Sequence, residues 1–85
     1  MKYAVVFEKG ETGYGAYVPD LPGCVAVGKS LARVQRLIRE AVELHLENMR
    51  EHGEQIPSPT TVLDYVRVPV RSVTRSNGRR VAGKR

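Results

Sequence analysis

The sequence predicts an α+β domain of order β-β-β-α-β, with one helix packed on a small mixed sheet. Three observations carry this. Two short β-branched and aromatic runs flank a glycine turn within residues 2–18. An apolar stripe of helical period runs from Leu31 to Met49, and valines recur at strand spacing over residues 62–70. Eighty-five residues allow one domain with a single core, and 41% apolar composition suits a folded chain.

The first run, residues 2–8, has the composition of a strand. Tyr3, Val5 and Phe7 share one face, and Ala4 and Val6 share the other. Apolar residues on both faces predict a central position in the sheet, with cover on both sides. Residues 9–13 hold Gly10 and Gly13 and read as a turn, after which residues 14–18 return as the second strand. Pro19, Asp20, Leu21, Pro22 and Gly23 interrupt the pattern, and residues 24–27 form a short third strand.

Ser30 is a good N-cap, and Gly53 is a helix stop. Between them Leu31, Val34, Ile38, Ala41, Val42, His45 and Met49 form one stripe, bordered by Leu37 and Leu46. Arginines and glutamates fill the opposite face, with Arg36–Glu40 and Arg39–Glu43 at the spacing of helical ion pairs. Pro57 and Pro59 force an extended path after the helix. Residues 62–70 then read as a fourth strand, with Val62, Val66, Val68 and Val70 on one face and Pro69 marking an edge or an end. A right-handed crossover through the helix places this strand beside the first. The sheet face away from the helix still carries apolar side chains, so a second subunit is its expected cover.

Charge divides the chain. Residues 1–70 hold eight Lys/Arg and nine Asp/Glu, a net charge of −1, whereas residues 71–85 hold six basic residues and no acid. The expected organisation is a domain over residues 1–70 and a flexible basic tail over 71–85. Arg75, Arg79, Arg80 and Arg85 suit phosphate or an acidic protein surface, or else serve only as a solubilising end. No aromatic residue is interleaved with them to stack on bases. The N-terminal residues have no signal-peptide pattern, and the longest apolar run is far too short to cross a bilayer. The single Cys24 cannot form an internal disulfide, so a reducing cytoplasm is the expected compartment.

Catalytic patterns are weak. Cys24 with His45 or His52 could be read as a nucleophile and its base, but a buried structural thiol is the ordinary state of such a cysteine. Two His and one Cys at these spacings match no metal motif, and Glu40, Glu43, Glu47 and Glu51 read as a solvated helix face. Neither an enzyme, a metal nor a cofactor is expected. The proline-bounded loop stands out instead. Either it holds Asp20 and Leu21 out rigidly for recognition, or it is a stiff connection with Leu21 tucked into the core.

Four separated blocks carry a family resemblance: residues 14–24 (Tyr-Gly-Ala-Tyr-Val-Pro-Asp-Leu-Pro-Gly-Cys), 28–30 (Gly-Lys-Ser), 40–47 (Glu-Ala-Val-Glu-Leu-His-Leu-Glu) and 53–59 (Gly-Glu-Gln-Ile-Pro-Ser-Pro). In this order they resemble the HicB antitoxin domain over about residues 3–68. The resemblance implies a truncated RNase H-like fold without nuclease carboxylates, assembly into homodimers or tetramers, and masking of a HicA-type mRNA-cleaving toxin. Asp20, Leu21, Pro22, Glu43 and Glu47 are the expected partner-binding residues. The chain departs from the family pattern at Gly28-Lys29-Ser30 and at Arg33, Arg36 and Arg39, where members show Gly-Asp-Thr and an acidic helix start. No helical pattern follows Val70, so a short form without the family's usual DNA-binding domain is expected. The competing function is nucleic-acid binding through the basic tail.

Overall fold

The computed structural model describes residues 1–70. Three strands, β1 (Val6–Lys9), β2 (Tyr14–Tyr17) and β3 (Val25–Gly28), precede one helix, α1 (Leu31–Glu51). The sheet is antiparallel, in the order β1-β2-β3. Its register aligns Phe7, Ala16 and Ala26 in one row and Val6, Tyr17 and Val25 in the next. Because side chains alternate across a strand, these rows face opposite sides.

The Phe7–Ala16–Ala26 side faces α1. Ala16, Val18, Leu21, Cys24, Val34 and Ile38 are buried there, with Tyr3, Val5, Tyr14, Ala26, Ala41, Val42 and Leu46 packed around them. Only Val34 and Ile38 of the helix are fully buried, so the stripe read from the sequence is the packing face, with its ends more open. The helix lies mainly over β2 and β3.

Both helix ends close as the sequence requires. Ser30 is extended, and its hydroxyl accepts from the Arg33 N–H at 3.1 Å. At the other end Gly53 adopts φ +69°. Its N–H donates to the Arg50 carbonyl, and the Glu54 N–H donates to Met49 at 2.9 Å. This is a Schellman closure, which needs a residue at ease in the left-handed region.

The fourth strand is where the structure departs from the expectation. Residues 62–70 belong to no strand, are all exposed, and make no backbone–backbone hydrogen bond among the described residues. Among the described residues the sheet is therefore antiparallel with three strands, not mixed with four, and nothing pairs with its β1 edge. A strand pattern states which face a segment can bury, but a ladder also needs an edge brought alongside it. Here Asp20 ties Thr60 and Thr61, and residues 62–70 pair with no strand among the described residues. The proposed tail, residues 71–85, lies outside the described residues.

Candidate interaction surfaces

The loop between β2 and β3 is built from two overlapping turns. The Leu21 N–H donates to the Val18 carbonyl at 3.0 Å, and the Cys24 N–H donates to the Leu21 carbonyl at 3.0 Å. Proline occupies the second position of each turn, where its fixed φ is pre-set. Gly23 at φ +86° occupies the third position of the latter turn, a geometry only glycine takes without strain. The Val18 N–H closes the whole loop onto the Cys24 carbonyl at 3.2 Å. Leu21, 1% exposed, points inward and is one of the two largest fully buried side chains. Of the two readings of this loop, the stiff connection with Leu21 in the core is the one observed.

Asp20 faces the other way and grips a distant segment. One carboxylate oxygen accepts the Thr60 and Thr61 N–H groups at 3.0 and 3.1 Å. The other accepts the Thr60 and Thr61 hydroxyls at 3.1 and 2.9 Å. The Thr61 N–H leads in holding this carboxyl below its ordinary range, with Thr60 and the hydroxyls adding to it and partial desolvation opposing. The Tyr3 hydroxyl donates to the Pro57 carbonyl, a second tie on the same returning segment. Neither tie was legible in the sequence, because the partners lie 40 or more residues apart and no local pattern joins them.

The remaining candidates separate. Pro22 is exposed, and Gly23 beside it borders a shallow groove with Cys24, Val25, Ala41, Leu44, His45 and Asn48. Leu44, 67% exposed, sits off the apolar stripe and is the helix's most open large apolar side chain. Glu43 and Glu47 are both exposed, but Glu43 borders a different groove, on the β1 side of the helix. The expected site residues thus do not form one patch: the loop joins one flank of α1 and Glu43 the other. Arg75, Arg79, Arg80 and Arg85 lie outside the described residues.

Cys24 and His45 border the same shallow groove. Cys24 is buried, and desolvation pushes its thiol up, away from the nucleophilic thiolate. His52 Nδ1 lies 2.7 Å from the Asn48 carbonyl oxygen at the helix end. Among the described residues no group of three or more His, Cys, Asp or Glu side chains is placed to hold a metal ion. No helix among them is long and apolar enough to cross a membrane.

Two apolar surfaces are open. One is the sheet face away from the helix, where Tyr17, Val25 and Val27 are 41%, 61% and 75% exposed beside Val6. The other is the groove of about 700 Å³ between β1 and α1, lined by Tyr3, Val5, Phe7, Ile38, Val42 and Leu46. Exposed apolar surfaces of this kind mark places where a protein meets a partner. The sequence match agrees: residues 3–71 fit the model of a HicB-like antitoxin of bacterial toxin–antitoxin systems. The chain belongs to the HicB-like antitoxin family. Its relatives include a UPF0150 protein of Archaeoglobus fulgidus, 48% identical over 59 residues that cover 66% of this chain and 86% of that protein. Another is Antitoxin HicB 2 of Photorhabdus laumondii, 35% identical over 74 residues, covering 81% of this chain and 50% of that protein. An uncharacterized protein of Haemophilus phage HP1 is 35% identical over 69 residues, covering 81% of this chain and 52% of that protein. The chain spans about half the length of the last two. The family's description is that of an antitoxin of bacterial toxin–antitoxin systems.

Proposed function

We propose that this chain is a non-catalytic cytoplasmic antitoxin that binds and masks a HicA-type, mRNA-cleaving toxin. The observation that carries the reading is the family match over residues 3–71, which takes in every described strand and the helix. The toxin contacts are assigned to the exposed acids Glu43 and Glu47 and to Pro22 at the loop tip. Asp20 supports them by fixing the segment that passes the loop, since both of its oxygens are engaged by Thr60 and Thr61. Leu21 supports them from inside the core. Acidic side chains suit a small basic toxin by steering encounter more than by adding affinity.

Co-expression with a neighbouring HicA-type reading frame tests this. The expected outcome is co-purification and relief of growth arrest, with Glu43→Lys plus Glu47→Lys slowing association in a salt-dependent way. A toxin that neither co-purifies nor loses its effect overturns the reading. The second reading, nucleic-acid binding through Arg75, Arg79, Arg80 and Arg85, rests on the six basic residues and no acids of residues 71–85. Deleting those residues then abolishes salt-sensitive retention on nucleic acid.

A further inference from the structure

The two grooves that flank α1 differ in charge. The one on the β1 side is rimmed by Lys2 and Arg39, with Glu43 its single acid. The shallower one, between Gly23 to Val25 and the middle of α1, has no Lys, Arg, Asp or Glu in its lining. Leu44 stands 67% exposed on this second groove, facing Val25 at 61% exposure, and Pro22 is exposed beside Gly23. Glu40 lies four residues before Leu44, and Glu47 and Glu51 lie three and seven after it. That spacing places all three around Leu44 on one helix face, and all three are exposed. An apolar centre with an acidic rim results, the layout of a protein contact.

Charge along the helix is divided in the same sense. Residues 29–39 hold Lys29, Arg33, Arg36 and Arg39 and no acid, whereas residues 40–54 hold five glutamates and one arginine. The first turn carries Arg33 and no acid, and Glu51 ends the helix. This order opposes the helix dipole, with only Arg50 in the last turn to offset it, so the helix does not gain its own stability from the division. A basic partner is repelled by the first half of α1 and by the rim of the β1-side groove, and is drawn to the second half. We infer that the patch centred on Leu44, with Pro22 and Val25 beside it and Glu40, Glu47 and Glu51 around it, is the docking surface for a basic protein. The partner seats an apolar side chain against Leu44 and sets its positive charges on the glutamate rim. This deepens the antitoxin reading and rests on it: the toxin lies on the β3 flank of the helix, and Glu43, on the other flank, acts only on its approach.

The test uses the full chain and the HicA-type toxin of the co-expression experiment. Leu44→Arg is expected to weaken capture of the toxin by roughly thirtyfold or more, as loss of a central anchor does. Its helix content by circular dichroism stays unchanged, because the side chain is 67% exposed. Glu47→Lys plus Glu51→Lys is expected to slow association, with the greatest loss at low salt. Arg39→Glu, on the rim of the other groove, is expected to leave capture within about twofold. Capture by Leu44→Arg equal to that of the unaltered chain overturns the assignment and leaves the antitoxin reading standing. An equal loss from Arg39→Glu also overturns it, because the two flanks are then not distinguished. If Leu44→Arg changes the mass of the free chain in solution but still captures the toxin, the patch is a contact between copies and the assignment fails. No capture by the unaltered chain overturns the antitoxin reading and this inference with it.

Discussion

The loop at residues 19–23 and the segment at residues 62–70 are both punctuated by proline and both carry apolar side chains, yet they end in opposite conditions. The loop satisfies itself: two turns, one closing bond and a buried leucine within seven residues. The segment satisfies little, with its valines in solvent and its backbone in no ladder among the described residues. The difference is the range of the partner. Turn chemistry needs only neighbours in sequence, whereas a strand needs an edge delivered by the rest of the fold or by another molecule.

The largest effect that sharpens this contrast is at Leu21. Leu21→Ala removes a 1% exposed side chain from a core of six buried residues, at a cost of about 2–5 kcal/mol. Chemical denaturation followed by circular dichroism measures it. A change below about 1 kcal/mol would mean that Leu21 is not part of the core, and the loop's self-sufficiency would fail with it.

A smaller effect isolates the backbone. Gly23→Ala meets nothing within 4 Å, so space is not the obstacle. The cost comes from φ +86° alone and is about 1–2 kcal/mol, read in the same denaturation experiment. A neutral result would show that the turn can relax, and that proline at position 22 fixes the loop without glycine's help.

What the sequence made legible follows the same division. The hairpin, the third strand and the helix were readable because their signals are local: a glycine turn, alternation over a few residues, and a capped stripe from Leu31 to Met49. Ser30 and Gly53 take the cap roles expected of them. The central place that the two apolar faces of β1 suggested is not the one observed: among the described residues β1 stands at the sheet edge, and Val6 shares an open apolar face with Tyr17, Val25 and Val27. The fourth strand was readable as a pattern but not as a pairing. The loop's chemistry left two readings of Leu21 standing, because a proline frame stiffens a loop without saying which way its leucine turns. The Asp20 grip on Thr60 and Thr61 was out of reach altogether, since Asp, Thr and Thr are ordinary loop residues until the fold brings them together.

That grip is where the two regions meet, and it carries the smallest and most local prediction. Hydrogen bonds led by Thr61 hold the Asp20 carboxyl below its ordinary range. A carboxyl whose pKa is depressed by folding contributes its stabilisation fully above its unfolded value, about 3.9, and loses it as pH falls through the lower folded value. Protection of the Thr60 and Thr61 amides against hydrogen exchange is therefore expected to hold at neutral pH and to fall in acid, below about pH 4. Asp20→Ala removes all four acceptor contacts and exposes both amides at every pH. Asp20→Asn keeps an oxygen for the two N–H groups and turns its amide toward the hydroxyls, so protection is intermediate and the acid dependence disappears. If both variants protect these amides like the unaltered chain, Asp20 does not fasten the segment. The contrast between the two regions then loses its physical link.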